Sequence, residues 1–483
     1  MAKGRQCRNE ITSMTFGGSV LEDPSQVNAA IFEHFKKQYP EEWMSRPKLG
    51  GLFKSVSSSP YFDVLETEFL ESEILAAMKD CDGNKAPGPD GFNMLYFQKF
   101  WKVTKGEVLN FMKKFYKNGR LVKVLNSSFI TLVPKKENPI SLVGSIYKVL
   151  TKVLSRRLKE VLPCIISETQ SAFIGGRNIL DGVLIANEMV DGWKKSKKQG
   201  VIIKLDFEKA YDSVNWGFLR SMLLKFGFGL RWVKWMTECV STARISVLVN
   251  GSPTDEFSPQ RGLRQGDPLS PFLFNLVVEG LNMLLTRAYH MGIIKEMQIG
   301  VDDARLSHLQ FADDSILFCE AKEEEVRSLK RILRCFKVMS GLRINYHKSQ
   351  VCGVGVADES LATFVSILNC KIKKLPMQYL GLPLGADPNR KQTWKPVLDK
   401  IRSRLASWKR KLLSYAGRLT LIKSIIALLL VYYLSLFRLP QGVAKVIERL
   451  QASFLWGGLM YGEGYTWSNG LICPKVWIKG DWG

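Results

Sequence analysis

A chain of 483 residues with 46% hydrophobic content can bury a sizeable core, which excludes a disordered polymer. Its charge is lopsided: 69 Lys and Arg against 45 Asp and Glu leave +24 at pH 7, pointing to a polyanionic partner, nucleic acid before an acidic membrane surface. Nine dispersed cysteines without a CxxC pair, and four histidines apart from them, argue against a zinc site and fit a reducing intracellular compartment.

MAKGRQCRNE at the start leads into no apolar run, so no secretion signal is expected. VNAAIFEHFKKQYP reads as an amphipathic helix, and LGGLFKSVSSSP, rich in Ser, Pro and Gly, as a linker. LETEFLESEILAAMKDC is helical in pattern, with Phe69, Ile74 and Met78 near one side, and the loop NKAPGPDGF follows. SSFITLVPKK, ending on Lys135 and Lys136, alternates like a strand. Helical pattern covers about 146–162 and 179–193, and KKSKKQG reads as a solvated connection.

VIIKLDF is an apolar strand interrupted by Lys204 and ending near Asp206. Ser213 is placed to cap the next helix, in which Trp216, Leu219, Leu223 and Phe226 recur at helical spacing. QRGLRQGDPLSP is a Gly-rich loop opening a helix, with Ser270 as the cap and Pro271 as the first helical residue. Between Arg390 and Lys423 eleven cations face a single acid, Asp399; Trp394, Leu398, Ile401, Leu405, Trp408 and Leu412 form an apolar stripe there. Such a stripe packs inward, and the unopposed cations suit phosphate. The apolar run Ser424–Phe437, 14 residues between Lys423 and Arg438, fits a buried helix better than a membrane span.

HLQFADDSILF sets two adjacent carboxylates, Asp313 and Asp314, inside an otherwise apolar hairpin. A tight turn alone accounts for the pair, because Asp tolerates positive φ. A second reading joins them to Asp206. Hard cations bind carboxylate oxygens, and acids on neighbouring strands can hold two Mg²⁺ ions about 3.5–4 Å apart, where both attacking and leaving oxygens at phosphorus are stabilised. Burying such charges without ions is unfavourable.

With these residues the chain resembles reverse transcriptases, specifically those of plant non-LTR (LINE-type) retrotransposons. The resemblance runs from about Asn9 onward and rests on NKAPGPDGF, QSAFIGGRNILDG, KLDFEKAYDSVNW, QRGLRQGDPLSPFLF, HLQFADDSILF, SGLRINYHKSQ, LPMQYLGLPLG and LSYAGRLTLIKS in that order. It implies an α+β right-hand polymerase, with fingers over 73–200 joined by the 260–290 helix, an antiparallel palm over 201–382 and a helical thumb over 383–450. Residues 1–72 would form an N-terminal extension or linker, and 451–483 the start of a truncated C-terminal region.

By the same resemblance Asp206, Asp313 and Asp314 are the catalytic, metal-binding acids, served by two Mg²⁺ ions or by Mn²⁺ in their place. Tyr211 matches a gate against the ribose 2′-OH. Gln265 and Gly266 lie beside the incoming sugar, Lys348 resembles a lysine that helps pyrophosphate leave, and Tyr379, Leu380 and Gly381 resemble the primer grip. Lys135 and Lys136 fall where the fingers place cations near the triphosphate. Arg177 and Asp181 are either helix N-terminal hydrogen bonders or template contacts; Lys85 and Asp90 are either loop structure or a template-side element.

The implied activity is RNA-directed DNA synthesis from a primer 3′-OH with deoxynucleoside triphosphates, with RNA template, DNA primer and RNA–DNA duplex as partners and no membrane. An intracellular site, cytoplasm or nucleus, is expected, as is the lack of endonuclease and ribonuclease H domains. One departure stands out. PKKENPISLVGSIYK passes straight into Asn138-Pro139-Ile140, shortening the fingers hairpin and omitting its arginine, and a bidentate phosphate contact is not replaced by a flexible lysine. An impaired remnant that binds RNA or RNA–DNA duplex through its basic thumb is therefore the alternative.

Overall fold

The computed structural model describes residues 10–43, 45–132, 140–298, 305–406 and 413–456. The chain divides into two units, 1–380 and 381–483.

The first unit is built on two sheets. In the smaller, β1 (Ser127–Thr131) pairs antiparallel with β2 (Ile140–Val143) and parallel with β4 (Arg244–Val249), and β5 (Ser252–Pro253) closes the edge. The larger sheet is centred on β3 (Gly200–Leu205). β3 is flanked antiparallel by β7 (Asp314–Glu320) and β8 (Gln350–Val354), with β6 (His308–Phe311) beyond β7 and the short β9 (Lys371–Ile372) parallel to β8. Val201, Ile202 and Ile203 are wholly buried, which explains why this strand reads as a continuous apolar run rather than an alternation.

Around the sheets lie α1 (Pro24–Lys36), α2 (Glu71–Lys79), α3 (Ser145–Ile165), α4 (Ile179–Ser196), α5 (Trp216–Lys225), α6 (Leu230–Ser241), α7 (Ser270–His290) and α8 (Glu323–Ser340). Helix α3 buries Val149, Leu150, Val153, Leu154, Leu158, Val161 and Leu162; α7 buries Leu273, Phe274, Leu276, Val277, Val278 and Leu281. Both therefore serve as core helices.

Several expectations need correction. The stretch read as a linker is folded in: Leu49 and Val56 belong to the main core, and the Val56 N–H donates to the Phe226 carbonyl at 2.7 Å. The preceding helix, α1, sets Val27, Ile31 and Phe35 on Ile130, Ile245 and Val247 of the smaller sheet, so the N-terminal region is part of the unit and not an appendage. Apolar burial outweighs a flexible-looking composition. Asn215, not Ser213, caps α5, accepting from the Phe218 N–H at 2.7 Å; the Ser213 hydroxyl donates to the Glu208 carbonyl instead. Ser270 is the first residue of α7 rather than its cap.

In the second unit α9 (Lys391–Ala406), α10 (Tyr415–Leu434) and α11 (Gln441–Trp456) form a three-helix cluster. Trp394, Ile401 and Leu405 of the expected stripe are buried, Trp394 against Tyr433 at 5.8 Å between ring centroids; Trp408 and Leu412 lie outside the described residues. The apolar run expected to be a buried helix begins earlier and is only partly covered. Ile422, Ile426 and Tyr433 are buried while Val431 and Leu434 are exposed. Among the described residues α10 alone is long and apolar enough to cross a membrane by length and composition.

Candidate active site

The site forms where β3, β6 and β7 end. Ser315 of β7 stands opposite Leu205 of β3, so the next residues along the ladder, Asp314 and Asp206, come to the same end of the sheet. The β6–β7 hairpin closes with Phe311 opposite Asp314, leaving Ala312 and Asp313 as its two-residue turn. The positive φ that the turn demands is carried by Ala312, at +53°, and not by an aspartate. Asp314 is already a strand residue. The two carboxylates are thus not equivalent: one projects from the tip, the other from the first rung.

The charges at this sheet end act on one another. Burial raises the Asp313 carboxyl above its ordinary range, and the charges of Asp314 and Asp206 push it the same way. Lys204, two residues before Asp206, reaches Asp314 at 3.8 Å and also donates to the Gln378 carbonyl at 3.2 Å. The peptide of Asp206 is held on both sides: its N–H donates to the Ser349 hydroxyl at 3.1 Å, and its carbonyl accepts from the Asn345 N–H at 2.8 Å. SGLRINYHKSQ supplies both clasping residues, and Lys348 sits exposed in the same turn, its N–H on the Asn345 side chain at 3.1 Å.

Tyr211 lies beside Asp313: burial and the Asp313 charge both raise its hydroxyl pKa. Its ring stacks on Phe274 of α7, and its carbonyl accepts from the Leu263 N–H at 2.7 Å. Leu263 begins the segment that carries Gln265 and Gly266. The Gln265 carbonyl accepts from the Ser141 N–H at 2.8 Å. Gly266, at φ +106°, leaves no room for a side chain, since a Cβ would stand 2.7 Å from the Ser141 oxygen. A buried network stiffens this segment. Arg264 donates to the Asn126 side chain at 2.6 Å and lies 3.3 Å from Asp267, which also accepts from Tyr147 at 2.8 Å.

Tyr379 is buried, and Leu380 and Gly381 take φ of +48° and +80°. The side chain of Tyr379 is therefore part of the packed interior. Lys135 and Lys136 lie outside the described residues. Arg177 donates to the carbonyls of Ile166, Ser167 and Gln170. Asp181 is a helix N-terminal hydrogen bonder, completing a capping box with Asn178. Asp90 accepts from the Ser145 N–H at the start of α3, and a Cβ on Gly88 would strike Val143, so the KAPGPDG loop packs closely on that helix start.

Among the described residues no three Asp, Glu, His or Cys side chains make a ready cation cage. Asp314 and Asp206 both push Asp313 up, with Lys204 3.8 Å from Asp314, and a divalent cation held by these carboxylates would relieve that repulsion. The residues missed in the sequence are Lys204, Phe274, Asn345 and Ser349 as supports, together with Gln170. Lys204 interrupts an otherwise apolar strand, and that interruption was the available signal.

Comparison with known proteins adds the following. Residues 126–384, more than half of the chain, match the family described as reverse transcriptase (RNA-dependent DNA polymerase). A transposon TX1 protein of 149 kDa from Xenopus laevis, itself uncharacterized, is 28% identical over 480 residues, covering 95% of this chain and 36% of its own length. The Pol polyprotein of the type-2 retrotransposable element R2DM from Drosophila melanogaster is 26% identical over 279 residues, covering 56% of this chain and 25% of its own. The chain thus spans about a third or less of these relatives. A solved apo telomerase from Candida Tropicalis, truncated from its C-terminal domain, is similar at 14% identity and a TM-score of 0.38, over 61% of this chain and 60% of that one.

Proposed function

The chain belongs to the reverse transcriptase family, with an α+β right-hand polymerase fold, and from that premise we propose that it extends a primer 3′-OH along an RNA template with deoxynucleoside triphosphates, releasing pyrophosphate. The observation that carries this reading is the meeting of Asp206, Asp313 and Asp314 at one sheet end with Tyr211 against Asp313. Its relatives are proteins of transposable elements, and we place the chain with those of the non-LTR kind.

Phosphoryl transfer asks little covalent chemistry of a protein; placement and charge neutralisation dominate. Asp206, held through its peptide by Ser349 and Asn345, and Asp313, on the turn tip, would hold divalent ions, with Asp314 beside them. When bound, a pair of such ions supplies the positive charge that stabilises attacking and leaving oxygens. Lys204 neutralises part of Asp314 and ties it to the Gln378 carbonyl just before the turn at Leu380, so that the primer-end support and the acids share one anchor. Tyr211, stacked on Phe274, closes the space where a 2′-OH would sit. Gln265 and Gly266 present backbone beside the sugar, and exposed Lys348 stands in the turn that clasps Asp206. We assign residues 73–200, joined by the 260–290 helix, to fingers, 201–382 to palm and 383–450 to thumb.

The departure at PKKENPISL favours the second reading, an impaired remnant that still binds RNA–DNA duplex. Primer extension on an RNA template by the unaltered chain separates the two. Products of template length support the polymerase; duplex binding without extension, restored by an arginine-bearing hairpin, supports the remnant.

A further inference from the structure

Gln170, in the QSAFIGGRN motif, has no place in the carboxylate chemistry, yet it is built into the catalytic turn. It is buried, and its Oε1 accepts from two backbone donors, Ala312 N–H at 3.0 Å and Ala172 N–H at 3.0 Å. Two donors on one oxygen fix which end of the amide faces them. Ala312 precedes Asp313 and sits in the left-handed region, which costs an L-residue about 1–2 kcal/mol. Such a conformation persists only where its surroundings over-determine it.

The surroundings here are the loop 166–178. The Gln310 N–H donates to the Thr169 carbonyl at 2.8 Å, and the Ser171 N–H donates to the Gln310 carbonyl at 3.0 Å, so the loop runs as a short extra strand along β6. Arg177 gathers the carbonyls of Ile166, Ser167 and Gln170, and Asn275 of α7 donates to the Ala172 carbonyl at 2.6 Å. Beyond Ala172 the same loop lines an open groove through Phe173, Ile174 and Arg177, with Phe311 at the hairpin on its wall.

We propose that Gln170 is a positioning residue for polymerisation: its amide oxygen holds the left-handed peptide of Ala312 and thereby aims the Asp313 carboxylate, linking the turn to the groove-lining loop. This rests on the reading of Asp313 as a catalytic acid.

Gln170→Met keeps the size and removes the acceptor; Gln170→Glu restores an acceptor. In Q170M, amide exchange read by mass spectrometry over residues 308–318 is expected to rise roughly ten-fold or more while the rest of the chain exchanges as before. The kcat for primer extension is expected to fall about 10- to 100-fold with little change in deoxynucleotide KM, the scale on which supports of metal ligands act. Q170E recovers the protection. Ala312→Gly adopts the turn unaided, so Q170M costs less in that background. Unchanged exchange over 308–318, or a rise spread evenly along the chain, removes Gln170 from this role, as does failure of Q170E to recover protection. Should Q170M not fold, the Q170M/A312G pair decides: a folded pair supports the role and an unfolded pair overturns it. If the wild-type chain extends no primer at all, the polymerase reading fails, while the exchange comparison still settles Gln170.

Discussion

The ring of Tyr211 lies flat on that of Phe274, centroids 4.6 Å apart and planes 14° from parallel. Helix α7 thus fixes a side chain whose hydroxyl stands near Asp313, so the packing of this ring is compatible with the gate proposed for it. Tyr211→Ala is expected to admit ribonucleotides, lowering the ratio of deoxy- to ribonucleotide kcat/KM by roughly 10-fold or more, the scale on which pocket shape discriminates. Phe274→Ala should act in the same direction but less, because it only unseats the ring; aromatic pairs contribute about 0.5–1.5 kcal/mol beyond area burial. Competition between the two nucleotide types on one template measures both.

Lys204 competes with any cation for Asp314 across 3.8 Å. Lys204→Met is expected to lower the metal concentration that half-saturates the site by about two- to five-fold, matching an ion pair of up to about 1 kcal/mol. Manganese titration followed by its electron spin signal reads this without requiring turnover, and a raised metal requirement would count against the placement.

A Cβ at Gly266 meets the Ser141 oxygen at 2.7 Å, and φ there is +106°. Gly266→Ala must shift the loop or strand β2, a strain on the order of 1–3 kcal/mol. The expected result is a raised deoxynucleotide KM with duplex affinity retained, measured in steady-state extension and in binding of a preformed RNA–DNA duplex.

Glu279 in α7 is buried, and desolvation lifts its carboxyl to about 7 despite hydrogen bonds from Ser167 and Asn282. The native state therefore holds its proton at pH values where the unfolded chain, near 4.5, has released it. Stability from this group is greatest below about 4.5 and falls as pH rises towards 7, by about 3 kcal/mol in all. Glu279→Gln should remove that fall. Urea midpoints of the two proteins, compared between pH 5 and 8, are expected to separate in favour of the variant as pH rises; His308, pushed down to about 4 by burial, contributes equally to both and cancels.

Much of this was legible in the sequence because the strongest signals were local. Val201–Leu205 reads as a buried strand whatever surrounds it, and HLQFADDSILF reads as a hairpin. The helices α3, α4 and α7 announce themselves by period. What was not legible depends on partners distant in the chain. Ala312, not an aspartate, carries the positive φ, and the group that accepts its N–H, Gln170, lies 142 residues away. Residues 49–60 look like a linker until Leu49 and Val56 find a core assembled from later helices. Asn215 and Ser213 are both adequate caps by composition, and the Ser340 carbonyl, which accepts from the Asn215 N–H at 2.9 Å, helps set that residue at the helix start. Arg177 reads as a helix N-terminal hydrogen bonder or a template contact, and its donation to three nearby carbonyls could not be read from the sequence.

In the proposed reaction Asp206 and Asp313 act together on one phosphoryl transfer. Primer extension on an RNA template, run beside duplex binding for the wild-type chain, Asp206→Asn and Asp313→Asn, tests it most directly. Each variant is expected to lose extension by about a thousand-fold or more, several kcal/mol of transition-state stabilisation, while binding the duplex as tightly as wild type. Near-normal extension by either variant would contradict the account.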